Sequence, residues 1–129
     1  MNPTRAVVAV LDDEPQMRKA LRRLLSTHGF RVDAYECGED FLAGLSSNPA
    51  DCVVLDLHMP YVSGYEVLTV FAEQRVNTPV VVITGHDEPG TSERVRALGA
   101  SAYLTKPVDE AILLSAIRSA LETNQPSTT

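Results

Sequence analysis

Three short runs of apolar and β-branched residues are the feature that most constrains the fold of this chain. They cover residues 6–11 (AVVAVL), 51–56 (DCVVLD) and 80–84 (VVVIT). Apolar runs of this length are typical of central strands in a parallel sheet that is covered on both faces. The segments between them carry apolar residues at spacings of three and four, which indicates helices. The sequence therefore predicts a layered α/β domain.

Two weaker strand segments complete an alternation of strands and helices. Residues 30–36 alternate between apolar and polar side chains, as a less buried edge strand does, and residues 101–105 form a brief fifth strand. Helices are predicted over about 15–28, 38–45, 64–75, 92–98 and 109–121. Parallel neighbours require right-handed crossovers, and weak strands belong at the edges of a sheet. We predict a doubly wound (βα)5 three-layer sandwich of the flavodoxin-like type, with strand order 2-1-3-4-5.

The charge and cysteine content narrow the classes of function. Eleven Lys and Arg against seventeen Asp and Glu give a formal net charge of −6, which disfavours direct binding to nucleic acids or anionic membranes. Cys37 and Cys52 lack CxxC or zinc-type spacing, and we interpret them as small buried residues in a reducing compartment, the cytoplasm. We expect one domain over residues 1–122 and a polar tail or the start of a linker over 123–129.

Polar residues follow the predicted strands at the edge of the sheet where ligands bind. They are Asp12 and Asp13 after the first strand, Asp56 at the end of the third, Thr84 at the end of the fourth and Lys106 after the fifth. Because the carboxyl ends of parallel strands share one edge, we expect these side chains to converge. Each alone has a simpler explanation, such as a helix cap for the acidic pair or a surface position for the lysine. Their joint placement favours a functional site.

Three converging carboxylates repel one another, so their pKa values rise or a cation is bound beside them. Lys106 supplies one positive charge, and a divalent ion with oxygen ligands, Mg²⁺ or Mn²⁺, supplies the rest. We expect Asp13 and Asp56 to be direct ligands. With the negative charge reduced, Asp56 can attack a phosphoryl group and form an acyl phosphate. Lys106 and the Thr84 hydroxyl would then stabilise the phosphoryl oxygens.

Four ordered motifs make the chain resemble the receiver domain of two-component response regulators. They are LDDEP after the first strand, VVLDLHMPYVSG around Asp56, VVITGH at the fourth strand and AYLTKP at the fifth. The resemblance, which extends from residue 6 to about 121, implies phosphotransfer to Asp56 from a sensor histidine kinase or a histidine phosphotransfer protein. It implies metal binding by Asp13, Asp56 and the backbone carbonyl of His58, with Asp12 acting through water. It also implies a signalling switch that supports its own phosphorylation and slow autodephosphorylation, and not a classical enzyme.

The resemblance further implies how the switch works. Thr84 would move toward the phosphoryl group and Tyr103 would turn inward, which reshapes the surface of the fourth helix, fifth strand and fifth helix. That surface would face an output domain, a downstream protein or a second copy in a phosphorylation-dependent dimer. An ordinary half-buried strand residue is an equally good interpretation of Tyr103. His58 and His86 fall where side chains influence attacking water, so they either tune the lifetime of the phosphate or are plain loop residues.

The first predicted helix offers two readings of its exposed flank. Met17, Arg18, Leu21 and Arg22 resemble the surface that receivers offer to kinases. Alternatively Met17 and Leu21 belong to the core, which the helical spacing favours, and the two arginines are solvated. The sequence is compatible with a stand-alone receiver and with the front part of a longer regulator.

Three competing functions make different predictions. A haloacid-dehalogenase-like phosphatase also uses an aspartate nucleophile, but its nucleophile follows the first strand and its acidic pair comes late in the chain. A flavin binder of the same fold class would hold phosphate with hydroxyls and amides after the first strand, where LDDEP would repel it. A degenerate receiver that only binds partners would lack some of the five polar residues, all of which are present.

Overall fold

Five parallel strands form one sheet in the computed structural model, which describes residues 5–123. The elements are β1 (Val7–Leu11), α1 (Pro15–Thr27), β2 (Arg31–Tyr35), α2 (Gly38–Ala43), β3 (Cys52–Asp56), α3 (Gly64–Glu73), β4 (Val80–Thr84), α4 (Thr91–Ala97), β5 (Ala102–Thr105) and α5 (Glu110–Thr123). The strand order is β2-β1-β3-β4-β5, and every neighbouring pair is parallel. The predicted fold class and strand order are confirmed.

Alternate residues of the central strands enter two separate cores, which gives the fold its three layers. Val53 packs in a cluster with Phe41 of α2 and Phe71 of α3, whereas its neighbour Val54 packs in a cluster with α1 and α5. Every residue of β3 and β4 is buried. Because successive side chains of a strand point to opposite faces, an apolar run without alternation requires cover on both faces. Each buried Val or Leu then contributes about 1.5–3 kcal/mol.

The connection from β3 to α3 is held close to the end of the strand. The Gly64 amide donates to the carbonyl of Leu57 at 2.9 Å. A Cβ at Gly64 would lie 2.7 Å from the Leu57 Cα and 2.8 Å from the carbonyl oxygen of Asp56, so only glycine fits without moving the backbone. Ser63 and Glu66 form a capping box that fixes the first turn of α3. Sequence and packing together therefore fix the backbone around Asp56.

Several elements differ in detail from the sequence-based expectation. Helix α2 ends at Ala43 and not at residue 45. Asp109 accepts from the Ile112 amide at 3.0 Å and so caps α5 as predicted, but the Ile112 side chain is 55% exposed and lies outside the core. Cys52 is buried, Cys37 is half-buried, and both are free thiols.

Part of the predicted tail lies outside the residues that the structure describes. Within the predicted tail of 123–129, Thr123 ends α5 and the residues beyond it lie outside the described part of the chain. None of the helices within residues 5–123 is long and apolar enough to cross a membrane.

Candidate functional site

Three carboxylates meet where β1 and β3 end side by side. Asp12 and Asp13 directly follow β1, and Asp56 is the last residue of β3. One oxygen from each lies within 4.8 Å of the others. Asp12 and Asp56 are buried, whereas Asp13 is exposed and opens the group toward solvent. We call these three residues together with Lys106 the acidic pocket.

Lys106 reaches into the acidic pocket from the end of β5. Its Nζ lies 3.1 Å from Asp12 Oδ2 and 3.5 Å from Asp56 Oδ2, with Glu14 Oε1 at 3.9 Å. Burial lowers the pKa of Lys106, but the hydrogen bond to Asp12 and the charges of Asp56, Asp12 and Glu14 outweigh it, so the net effect raises the pKa. The lysine is therefore charged at neutral pH. Three carboxylates and one ammonium leave the pocket with a formal charge of −2.

The surroundings of Asp56 raise the pKa of its carboxyl group. Burial, followed by the charge of Asp12, raises its pKa from 3.8 to about 6, against the opposing effects of Lys106 and the His58 amide. The His58 N–H donates to Asp56 Oδ1 at 3.2 Å. Ionised Asp56 therefore stands in surroundings that favour its neutral form. Any cation held beside it lowers that pKa again.

Arg18 supports the acidic pocket from α1. Its Nη1 donates to the carbonyl oxygen of Asp12 at 2.8 Å, and its Nη2 lies 3.8 Å from Glu36 Oε2. The Asp12 carboxylate in turn accepts from the Glu14 amide at 2.9 Å. The solvated reading of Arg18 is therefore incomplete, since its side chain is half-buried and fixes the backbone of a pocket residue. The position of Arg18 in the first turn after Pro15, close to Asp12 in the chain, is the sequence feature that could have indicated this contact.

Of the other predicted site residues, His58 and His86 line the opening of the acidic pocket, whereas Thr84 is buried beside it. A cavity of about 550 Å³ is lined by Asp13, Glu14, Pro15, Asp56, His58, Gly85, His86 and Lys106. The exposed rings of His58 and His86 meet edge to face at this cavity, with centroids 5.3 Å apart. Thr84 is fully buried and does not line the cavity. Its hydroxyl instead accepts from the His86 amide at 3.0 Å.

Tyr103 lies on β5, outside the acidic pocket. It is half-buried, and its hydroxyl donates to Asp87 Oδ1 at 2.7 Å. Burial and this hydrogen bond raise the pKa of Tyr103 to about 12. Asp87 could not be predicted as the partner of Tyr103, because an acidic residue in a loop rich in Gly and Pro is ordinary. The packing of β4 against β5 brings the two together.

The donor set of the acidic pocket fits a hard dication. Carboxylate oxygens are the ligands that Mg²⁺ and Mn²⁺ prefer, and the formal charge of −2 matches one divalent ion. Within residues 5–123, Asp12, Asp13 and Asp56 form the one group of three side chains spaced to hold a metal. Asp13 is exposed and lines the cavity that opens to solvent. The residues present therefore fit a divalent ion with oxygen ligands.

The family follows from comparison with known sequences. A sequence profile described as the response regulator receiver domain matches residues 8–118. The chain belongs to this family. Receiver domains are signalling switches and not classical enzymes. The acidic pocket of this receiver lies at the carboxyl ends of its parallel strands.

The named relatives of the receiver include transcriptional and other response regulators. It is 37% identical over 116 residues to the transcriptional regulatory protein FixJ of Rhizobium meliloti (strain 1021), an alignment that covers 89% of this chain and 56% of FixJ. It is 33% identical over 122 residues to the response regulator protein TmoT of Ectopseudomonas mendocina, covering 95% and 56%. The crystal structure of FixJ-N superposes with a TM-score of 0.85 at 32% identity, covering 93% of this chain and 96% of that one. The receiver thus spans a little over half the length of these curated relatives.

Proposed function

We propose that the receiver accepts a phosphoryl group on Asp56 from a phosphohistidine of a sensor histidine kinase or a histidine phosphotransfer protein. The observation that carries this proposal is the Asp56 carboxylate, buried beside Asp12 and Asp13 and only 3.5 Å from the Lys106 ammonium. A carboxylate so placed is strongly perturbed yet open to a cavity, which is the usual condition of a reactive group.

The chemistry is an in-line transfer with little covalent work for the protein. A carboxylate oxygen of Asp56 attacks phosphorus, the P–N bond of the donor breaks, and the leaving imidazole keeps the electron pair and takes up a proton. The product is an acyl phosphate. Lys106 offers its ammonium to the phosphoryl oxygens in place of part of its contact with Asp12, so the added charge is met by a group already present.

The proposed metal site uses the acidic residues of the same pocket. Asp13, Asp56 and the backbone carbonyl of His58 would hold Mg²⁺ or Mn²⁺, with Asp12 acting through water. The bound ion would supply electrostatic shielding of the phosphoryl oxygens from the surrounding carboxylates. The spacing and the formal charge of the three carboxylates support this assignment.

The phosphorylated state would be read on the face made by α4, β5 and α5. The Thr84 hydroxyl would leave the His86 amide and donate to a phosphoryl oxygen, and Tyr103 would turn inward. An output domain, a downstream protein or a second copy of the receiver would recognise the changed face. The receiver domain would occupy residues 1–122, with 123–129 as a tail or the start of a linker, and would act in the cytoplasm without contacting nucleic acid or membrane.

The lifetime of the acyl phosphate would depend on His58 and His86. Both line the cavity in front of Asp56, and their rings are in contact with each other. Water that attacks phosphorus would enter through the cavity that this pair helps to line. Slow autodephosphorylation would therefore be set partly by how the two rings admit and orient that water.

An apolar groove beside the acidic pocket supports docking of the phosphodonor. The groove has a volume of about 550 Å³ and runs between α1 and the segment that follows β5; its apolar lining includes Met17, Leu21, Leu24, Pro107 and Val108. It shares Glu14, Gly85 and Lys106 with the cavity that holds Asp56. A protein seated in the groove would bring its phosphohistidine to the mouth of the pocket.

Intact-mass measurement after incubation with acetyl phosphate and Mg²⁺ tests the proposal. The wild type should gain the mass of one phosphoryl group, and Asp56→Asn should gain none. Asp51→Asn is the matched control, because Asp51 lies at the opposite end of the same strand region and is exposed. No gain with acetyl phosphate or with a phosphorylated kinase would overturn the proposal and leave a receiver that only binds partners.

A further inference from the structure

The turn after β4 connects Thr84 and Tyr103 to two consecutive residues. The Thr84 hydroxyl accepts from the His86 amide at 3.0 Å, and Asp87 Oδ1 accepts from the Tyr103 hydroxyl at 2.7 Å. Because His86 and Asp87 are neighbours in the chain, a movement of this segment would affect both contacts. The two side chains that the proposed function moves are thus joined through one short segment.

The ring of Tyr103 is held by packing in addition to the hydrogen bond of its hydroxyl to Asp87. Its ring packs against the core cluster shared by α2, α3 and α4, close to Tyr65. Tyr65 is itself covered by the guanidinium of Arg94, whose Cζ lies 3.8 Å from the ring centroid, which links α3 to α4. The hydroxyl of Tyr103 is therefore anchored at one end by Asp87 and its ring is held by packing at the other.

We propose that Asp87 is a positioning residue that holds Tyr103 and the turn of residues 84–87 in the arrangement with the Thr84 hydroxyl bonded to His86. This inference rests on the proposed phosphorylation of Asp56. In that arrangement the buried Thr84 hydroxyl also donates to the carbonyl oxygen of His86 at 3.4 Å, so its proton is not available to a phosphoryl oxygen. The Asp87 carboxylate therefore favours the unphosphorylated state, and by linkage its loss must favour binding of a phosphoryl group.

The affinity for beryllofluoride in the presence of Mg²⁺, measured by isothermal titration calorimetry, tests the inference. Asp87→Ala should bind about two- to tenfold more tightly than the wild type, the range expected for losing one hydrogen bond that opposes binding. Asp87→Asn keeps an acceptor oxygen, so its affinity should lie between those of the wild type and Asp87→Ala. Glu88→Ala removes the same charge from the next residue, which is also exposed, and should match the wild type. In the Tyr103→Phe background, Asp87→Ala should change the affinity no further.

The aromatic NMR signals of Tyr103 without any phosphate mimic provide the second measurement. They should shift in Asp87→Ala and stay in place in Glu88→Ala. Two results would overturn this inference alone, provided that the wild type binds beryllofluoride. One is an affinity of Asp87→Ala that is equal to or weaker than that of the wild type, and the other is an effect of Asp87→Ala that persists in the Tyr103→Phe background. If the wild type binds no beryllofluoride, the proposed function fails, and the inference fails with it.

Discussion

Replacing Asp56 with Asn should stabilise the metal-free protein at pH 7.5. Asp56 is 4% exposed and the pKa of its carboxyl group rises from 3.8 to about 6, so ionising it in the folded state is unfavourable. Each pKa unit corresponds to about 1.4 kcal/mol, which gives about 3 kcal/mol for the full rise. Asn has nearly the same shape, keeps an oxygen for the His58 amide and carries no charge.

The sign of the pH dependence follows from the direction of the pKa change. The folded state binds the proton of Asp56 more tightly than the unfolded state does. Its stabilising contribution is therefore complete below pH 3.8 and is lost as the pH rises through about 6. The advantage of Asp56→Asn over the wild type should be about 3 kcal/mol at pH 7.5 and about 1.5 kcal/mol at pH 5.

Urea unfolding in EDTA at both pH values, followed by far-ultraviolet circular dichroism, measures this difference. Glu73→Gln, at the exposed end of α3, is the control and should stay within about 0.5 kcal/mol of the wild type. Added Mg²⁺ should raise the free energy of unfolding of the wild type and leave Asp56→Asn nearly unchanged. An Asn variant that is no more stable than the wild type at pH 7.5, or whose advantage does not change with pH, would refute the electrostatic reasoning.

Three further substitutions test other parts of the account. Lys106→Met should raise the pKa of Asp56 further, because Lys106 lowers it, and should slow phosphorylation by acetyl phosphate. Carboxyl ¹³C NMR measures the pKa and intact mass measures the phosphorylation. An unchanged pKa of Asp56 would contradict the proposed role of Lys106. Gly64→Ala should destabilise the fold by about 1–3 kcal/mol in urea unfolding, whereas Gly44→Ala, whose Cβ would make only ordinary contacts from 3.5 Å, should be tolerated. Tyr61 is 88% exposed with φ 67°, so Tyr61→Gly should raise the free energy of unfolding by about 0.5–1 kcal/mol, and an equal gain in Tyr61→Ala would rule out the backbone explanation.

The strands and their order could be predicted because they depend on patterns local to the chain. Apolar runs buried on both faces gave β1, β3 and β4, and the weaker pattern of β2 placed it at an edge. The carboxyl ends of these strands then brought Asp12 and Asp56 together, as the geometry of a parallel sheet requires. The rule that parallel strands end at one edge of the sheet was enough to predict that these carboxylates lie close together.

The contacts that depend on side-chain conformation could not be predicted in the same way. Arg18 reaches the carbonyl of Asp12, and the Thr84 hydroxyl turns to the His86 amide and not to the pocket. Ile112 fits the apolar spacing of α5 yet faces outward, because the register of the helix on the sheet decides which side chains are covered. Spacing constrains which face a residue occupies, whereas rotamers and long-range partners depend on the packed structure.

The identity of the phosphorylated residue is the most direct test of the central claim. After phosphorylation with acetyl phosphate and Mg²⁺, borohydride reduces an aspartyl phosphate to homoserine and leaves free carboxylates intact. Peptide mass spectrometry then locates the converted residue. We predict homoserine at position 56 and aspartate at positions 12 and 13. Conversion at position 12 or 13, or a phosphorylated protein with no homoserine at any position, would contradict the account.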